Sequence, residues 1–257
     1  MIRVEERADG VALITIDRPQ ARNAMTFAMW NDLREAALAL DQRAGVRAVV
    51  ITGAGGRAFV SGTDIAEFTA FRSADDGIAY EARIETVIDA LEALRVPAIA
   101  ALIGACTGGG VSIAAACDLR IGGPGVRIGV PIGRTLGNCI SLRNLARVAA
   151  LIGLDAAKAL LLTGQLIDAP QAKRVGFLSD VTSSDDGVLE HALALAASIA
   201  ALAPLTLRAS KEMARRIRAA VPLPADEDLI RLCYGSQDFH AGVAAFLAKR
   251  APEWSGR

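Results

Sequence analysis

The sequence predicts an α/β fold, with a layered core over residues 1–200 and a helical region over 201–257. Three observations predict it. Apolar strand-like runs alternate with helical periodicity through roughly the first two-thirds of the chain. Beyond Ser141 the periodicity is helical almost throughout. Apolar residues make up 53% and charged residues 22%, a balance that excludes global disorder and can bury a core.

Ile2–Glu6 and Val11–Asp17 read as a hairpin closed by Asp9-Gly10. A polar loop, Gln20–Asn23, leads to a helix over Thr26–Leu40 with Phe27, Trp30, Leu33, Ala37 and Leu40 along one stripe. Val46–Thr52 is a buried strand ending in Gly53-Ala54-Gly55-Gly56. Ser73–Gly77 is polar and reads as a loop. A long helix follows over Ile78–Leu94, where Ile84, Val87, Ile88, Leu91 and Leu94 recur at helical spacing. Pro97 stops it. Ala98–Ile103 is a strand, the glycine run at 108–110 a turn, Val111–Cys117 a helix and Asp118–Ile121 a strand. Val175–Val181 reads as a short strand among helices that Pro204, Pro222 and Pro224 punctuate.

Charge and composition exclude several functions. Lys+Arg and Asp+Glu both number 28, so the chain lacks the basic footprint of a nucleic-acid or anionic-membrane binder. Seven Phe, two Trp and two Tyr are too few for a base-stacking platform, and the core must be built from Ala, Leu, Val and Ile. Cys106, Cys117, Cys139 and Cys233 form no CxxC pair, and His191 and His240 lie in unrelated segments, so no metal site is expected. No secretory leader pattern opens the sequence, which points to a cytoplasmic protein with reduced thiols. Val96–Cys117 carries no formal charge over a length that could cross a bilayer. Pro97 and Gly108-Gly109-Gly110 would break that helix, so a strand, a turn and a buried helix fit better.

Gly53-Ala54-Gly55-Gly56-Arg57-Ala58 has the spacing of a dinucleotide fingerprint, with Asp75 about twenty residues on. That reading would make the protein a nicotinamide dehydrogenase. A helix should open inside the motif, however, and Phe59-Val60-Ser61-Gly62 follows instead. Nucleophile-elbow, P-loop and zincin patterns are absent.

Two turns carry more. Ser61-Gly62-Thr63-Asp64 and Thr107-Gly108-Gly109-Gly110 each follow a strand-like stretch and precede a helix. Glycine lets the backbone turn sharply and approach a ligand, and a helix start presents unpaired N–H groups. On neighbouring strands, two such turns could aim two N–H donors at one oxygen. The plain alternative is that the glycines only allow strand and helix to pack closely.

Ala58-Phe59-Val60-Ser61-Gly62-Thr63-Asp64-Ile65 resembles the A-F-x-A-G-x-D-[LI] motif of the enoyl-CoA hydratase/isomerase (crotonase) superfamily. Gly104–Gly110 followed by Cys117-Asp118 is similar to its G-x-x-x-G-G-G…D segment. Ala21-Arg22-Asn23-Ala24-Met25, Leu162-Thr163-Gly164 with Ala172-Lys173 and Gly176-Phe177, and Ala245–Pro252 resemble three more family segments, in the family's order from about residue 2 to residue 252. The resemblance implies a crotonase-like spiral of ββα turns with a C-terminal helical trimerisation region. It implies a homotrimer or hexamer (a dimer of trimers). It also implies an acyl-CoA thioester substrate, with coenzyme A arriving as part of the substrate and no permanently bound cofactor.

By the same resemblance, the N–H groups of Thr63 and Gly109 bind the thioester oxygen. Because the donors are backbone groups, the Thr63 side chain should be free to vary. Arg22, Ala24, Gly62, Asp64, Ile65, Ala66 and Gly108 would line the substrate, with Thr63–Ala66 on the pantetheine and adenine side. Phe246 and Lys249, three apart on one helical face, would approach the coenzyme A of a neighbouring subunit. Asp64 reads as a cap on the helix start.

The departures bear on the reaction. Hydratases of this family carry one glutamate where Ser112 stands and another where Ile132 stands. Hydration needs a base for water and an acid for the α-carbon, and a hydroxyl and an isoleucine supply neither unaided. Isomerisation, decarboxylation and hydrolysis ask for less. Ser112, Arg134, Asn138 and Cys139 are the polar candidates near the acyl chain. Arg134 could hold a substrate carboxylate or simply face solvent. Cys139 reads as a small buried side chain before it reads as a nucleophile. The alternative function is a non-catalytic acyl-CoA-binding homologue.

Overall fold

The computed structural model describes residues 1–257. Strands β1 (Ile2–Glu6) and β2 (Val11–Ile16) form the expected antiparallel hairpin, with Ile2 opposite Ile16. Helix α1 (Phe27–Asp41) follows, capped by the Thr26 side chain, which accepts from the Met29 N–H. The chain then repeats one unit three times: a strand in a large sheet, a strand in a small sheet, a helix. The first is β3 (Ala48–Gly53), β4 (Ala58–Val60) and α2 (Ala74–Glu92). The second is β5 (Ala98–Leu102), β6 (Ala105–Thr107) and α3 (Gly109–Ala116). The third is β7 (Leu119–Gly122), β8 (Arg127–Gly129) and the short α4 (Ile132–Thr135). Then come α5 (Leu142–Ile152), α6 (Leu154–Thr163), α7 (Ala169–Arg174), β9 (Asp180–Val181) and α8 (Val188–Ala200). Helices α9 (Pro204–Ala219), α10 (Glu227–Tyr234) and α11 (Gln237–Leu247) complete the chain.

The large sheet runs β1-β2-β3-β5-β7-β9 and the small one β4-β6-β8, parallel everywhere except the opening hairpin. Parallel sheets are covered on both faces, so their strands are apolar on both sides. Ala12, Ile14, Val49, Ile51 and Ala100 face the core that α1 and α2 close with Trp30, Leu33, Ile84 and Val87. Val11, Leu13, Val50, Ile99 and Ala101 face Val188, Ala192 and Ala196 of α8.

Several sequence expectations need correction. The small sheet was not anticipated as a sheet, because its strands have three residues each, too few to show a period. Ser73–Gly77 is the start of α2 rather than a loop, with Ser73 and Asp76 forming a capping box. Val175–Val181 is strand only at Asp180–Val181: Gly176 turns the chain at φ 85°, and Phe177 and Leu178 go into the core. The stretch 53–58 opens no helix, since β4 follows it, and this removes the dinucleotide reading. Val96–Cys117 forms β5 and α3, as expected of a strand and a helix, with the additional short strand β6 between them. No single helix is long and apolar enough to cross a membrane.

The C-terminal helices differ in attachment. Helix α9 buries no residue and is tied down by charge, Lys211 to Asp118 at 2.7 Å and Arg218 to Glu92. Helices α10 and α11 return to the chain's own core, where Ile230, Tyr234, Phe239 and Val243 pack with Phe68, Phe71 and Leu136. Tyr234 fits because residue 77 is glycine; a Cβ there would sit 2.3 Å from the tyrosine Cγ.

Candidate active site

Strands β4 and β6 are neighbours in the small sheet, so the loops leaving them lie side by side. The Thr107 hydroxyl donates to the Ser61 carbonyl at 3.1 Å and ties the two together. Gly62 and Gly108 turn the chain at φ 108° and 54°, conformations that favour glycine. A Cβ on Gly62 would lie 3.8 Å from the Gly109 nitrogen, which measures how closely the loops approach. Gly110 serves the packing role alone, because a Cβ there would meet the Val60 carbonyl oxygen at 2.2 Å. Thr63 and Gly109 follow these turns, and the N–H of neither donates to an acceptor within the chain.

Beneath both loops lies the fully buried Trp30. Its indole N–H donates to the Thr63 hydroxyl at 3.0 Å, and that hydroxyl pairs with the Tyr80 hydroxyl at 2.7 Å. The Thr63 side chain is therefore not free to vary, contrary to the expectation from its backbone role. Asn23, also fully buried, fixes the third loop: its amide donates to the carbonyls of Ala54 and Ala58, and its oxygen accepts from the Arg18 N–H. Asp64 caps the 3₁₀ turn Ile65–Ala70 by accepting from the Ala66 N–H, and it pairs with Arg18 at 2.6 Å.

These loops open onto a cavity of about 730 Å³. Of the residues singled out in the sequence, Arg22, Ala24, Gly62, Thr63, Asp64, Ile65, Gly108, Gly109, Ser112, Ile132, Asn138, Phe246 and Lys249 all line it. Cys139 lines it as well, half-buried, with its neighbour Cys233 and burial pushing its thiol pKa up and away from thiolate chemistry. Two expected residues stand apart: Ala66 and Arg134 are exposed and outside the cavity wall. Phe246 and Lys249 border the cavity of their own chain. They do not share a helical face, because α11 ends at Leu247 and Lys249 adopts φ 54°.

Sequence reasoning missed the wall that α2 contributes. Tyr80, Glu81 and Ile84 point from one face of that helix into the cavity wall. Glu81 is 5% exposed and accepts from the Tyr234 hydroxyl at 2.6 Å and the Ser141 N–H at 3.1 Å. Burial pushes its pKa up to about 7, against the lowering effect of those two donors. The one available signal was a glutamate on the Ile84–Ile88 stripe. The raised value has a stability consequence. Below about pH 4.5 the group is protonated whether folded or unfolded, and its contribution is fully present; that contribution is lost as pH rises through about 7. The melting-temperature difference between Glu81→Gln and wild type should therefore grow in favour of Gln from pH 5 to pH 8. Other carboxylates titrate in both proteins and cancel.

Residues 6–257 match the family model described as "Enoyl-CoA hydratase/isomerase". The chain belongs to the enoyl-CoA hydratase/isomerase family. A probable enoyl-CoA hydratase of Mycobacterium tuberculosis is 34% identical over 255 residues, covering 98% of this chain and 97% of that protein. The solved structure of an enoyl-CoA hydratase/carnitine racemase from Magnetospirillum magneticum is 32% identical, with a TM-score of 0.81, and covers 100% of this chain and 96% of that one. A methylmalonyl-CoA decarboxylase in complex with 2-nitronate-propionyl-CoA is 25% identical, with a TM-score of 0.90, and covers 100% and 98%. The three strand-strand-helix units and the two sheets are thus the crotonase fold of this family, whose members act on acyl-CoA.

Proposed function

We propose that this member of the family binds an acyl-CoA thioester in the cavity and stabilises its enolate between the N–H groups of Thr63 and Gly109, in a reaction other than simple hydration of a 2-enoyl thioester. The observation that carries this is the pair of N–H groups on adjacent loops at the cavity wall with no acceptor in the chain. Donors already in place for charge that develops later stabilise the transition state more than the ground state. Lys249 and Arg22 supply positive charge at the same cavity for the phosphates of coenzyme A.

Ser112 and Ile132 argue against hydration, since both wall the cavity without a carboxylate. Moving a double bond needs one proton carrier, not two. A second reading rests on the likeness to the methylmalonyl-CoA decarboxylase. There the bond to the substrate carboxylate breaks, its electron pair enters the enolate and carbon dioxide leaves, with no base required. Arg134 does not hold that carboxylate, being exposed outside the wall. We also propose a homotrimer or a dimer of trimers, supported by Leu205, Met213 and Ile217, which α9 leaves more than half exposed. Light scattering on the purified protein tests it.

The test of function is mass spectrometry of 2-enoyl, 3-enoyl, 3-hydroxyacyl and malonyl-type thioesters incubated with the protein in deuterated water. Crotonyl-CoA hydration should run about 10²–10⁴-fold below that of an enzyme with both a positioned acid and a positioned base. Deuterium should enter the α-carbon of at least one thioester. Rapid hydration would overturn the reading. Thioester binding with neither exchange nor conversion would leave a non-catalytic binding protein.

A further inference from the structure

Two carboxylates line the cavity, and they differ in one respect. Asp64 is paired with Arg18 and caps a turn. Glu81 makes no ion pair, although it is almost fully buried. Each of its oxygens accepts one hydrogen bond, from Tyr234 and from the Ser141 backbone, which leaves a lone pair on each. The Tyr234 hydroxyl also accepts from the Asn138 amide at 3.1 Å, and the Asn138 oxygen beside the cavity is buried with no donor. The residue before Glu81 touches the first oxyanion loop, through the Tyr80–Thr63 hydroxyl pair. A carboxyl group is therefore held on a helix, without a cation, in the wall that also carries Thr63 and Gly109.

We propose that Glu81 is the proton carrier of this site, moving one proton between C2 and C4 of a 3-enoyl-CoA, and that Tyr234 positions it. The proposal rests on the thioester reading above and supplies the group that Ser112 and Ile132 do not. The Glu81 carboxylate takes a proton from C2, and the C2–H pair moves into the dienolate with its charge on the thioester oxygen. That charge returns to re-form the carbonyl, the double bond shifts to C2=C3, and the O–H bond of Glu81 breaks as its proton reaches C4. No proton or electron is gained or lost overall.

A purely structural carboxyl would give no pH dependence to turnover, and the surroundings of Glu81 make that testable. The titratable groups facing it are Tyr80 and Glu85 on its own helix, Cys139 on the segment after α4, and Asp226 and Tyr234 at α10. None is a cation, and the buried Arg147 is engaged by Glu85. Turnover by the carboxylate should rise through a limb near pH 7. The Tyr234 hydroxyl stabilises the charged form, so Tyr234→Phe should move that limb to higher pH.

The experiment follows 3-hexenoyl-CoA isomerisation and deuterium exchange against pH in wild type, Glu81→Gln, Glu81→Asp and Tyr234→Phe, with butyryl-CoA binding measured beside them. Glu81→Gln should lose about 10²–10⁴-fold in turnover and the pH limb, bind butyryl-CoA within about threefold of wild type, and melt no lower at pH 8. Glu81→Asp should recover part of the rate. Exchange that survives in Glu81→Gln with the wild-type pH profile overturns the proposal. Wild type that binds butyryl-CoA but exchanges no proton overturns the role of Glu81 and leaves thioester binding standing. Wild type that binds no thioester overturns both.

Discussion

Gly109→Ala is expected to lower thioester turnover by about 10²–10³-fold, equivalent to about 2.7–4 kcal/mol of barrier, the cost typical of losing one oxyanion donor. The cause is steric. A Cβ on Gly109 would lie 2.7 Å from the Trp30 ring, and Trp30 is fully buried with its N–H committed to Thr63. The ring cannot withdraw, so the start of α3 must shift, and the N–H direction shifts with it. Neighbouring glycines separate this effect from general damage. Gly108→Ala meets only open backbone, with the nearest atom at 3.7 Å, and is strained chiefly by its φ of 54°. Gly110→Ala strikes the Val60 carbonyl and should cost stability instead. Steady-state kinetics with thermal melts on the three variants would read the pattern. A Gly109→Ala protein with wild-type turnover would show that this N–H does not bind the developing charge.

The long elements were legible because their signals are local. Helix α1 and the strand stripe of β3 follow from apolar spacing, and the two glycine turns announce themselves as breaks between strand and helix. That those turns could lie side by side was one of two open readings of the glycines, and the pairing of Ala58 with Ala105 places them together. Three-residue strands carry no period, so the small sheet that creates the adjacency was not legible as a sheet. The start of α2 was hidden because Ser73, Asp75 and Asp76 look like loop residues when read for polarity, and only the Ser-x-x-Asp spacing reveals a cap.

The site was half legible, for a physical reason. Backbone donors are set by glycine positions, which are visible in a sequence. Side chains that reach the cavity from a distant helix depend on packing, which is not. Glu81 and Glu85 sit on the apolar stripe of α2, where a carboxylate is costly unless something compensates it. The compensating groups come from residues 141, 147 and 234, more than fifty positions away in sequence. The rim residues Phe246 and Lys249 were expected beside the coenzyme A of a neighbouring subunit, on one helical face; they line the cavity of their own chain, and that face ends before Lys249.

Arg147→Met should destabilise the chain by about 3–5 kcal/mol, because it leaves a buried carboxylate without its cation. Arg147 is 2% exposed on α5, and its guanidinium binds Glu85 at 2.9 Å, Asn144 at 3.1 Å and Glu92 at 3.3 Å, with Asp89 as a fourth partner. Burial alone would lower its pKa, but those carboxylates outweigh burial and raise it. Met fills the arginine stem without the charge, so the loss reads the ion network rather than a cavity. Arg143 reaches Glu85 only at 3.4 Å and is half exposed, so it cannot take over. At about 2–4 °C per kcal/mol for a chain of this size, the melt should fall by about 6–20 °C. Glu85→Leu added to Arg147→Met should recover much of it, since an apolar pair does not need charges matched in a dry site. If Arg147→Met melts within about 2 °C of wild type, the network does not hold α2 against α5.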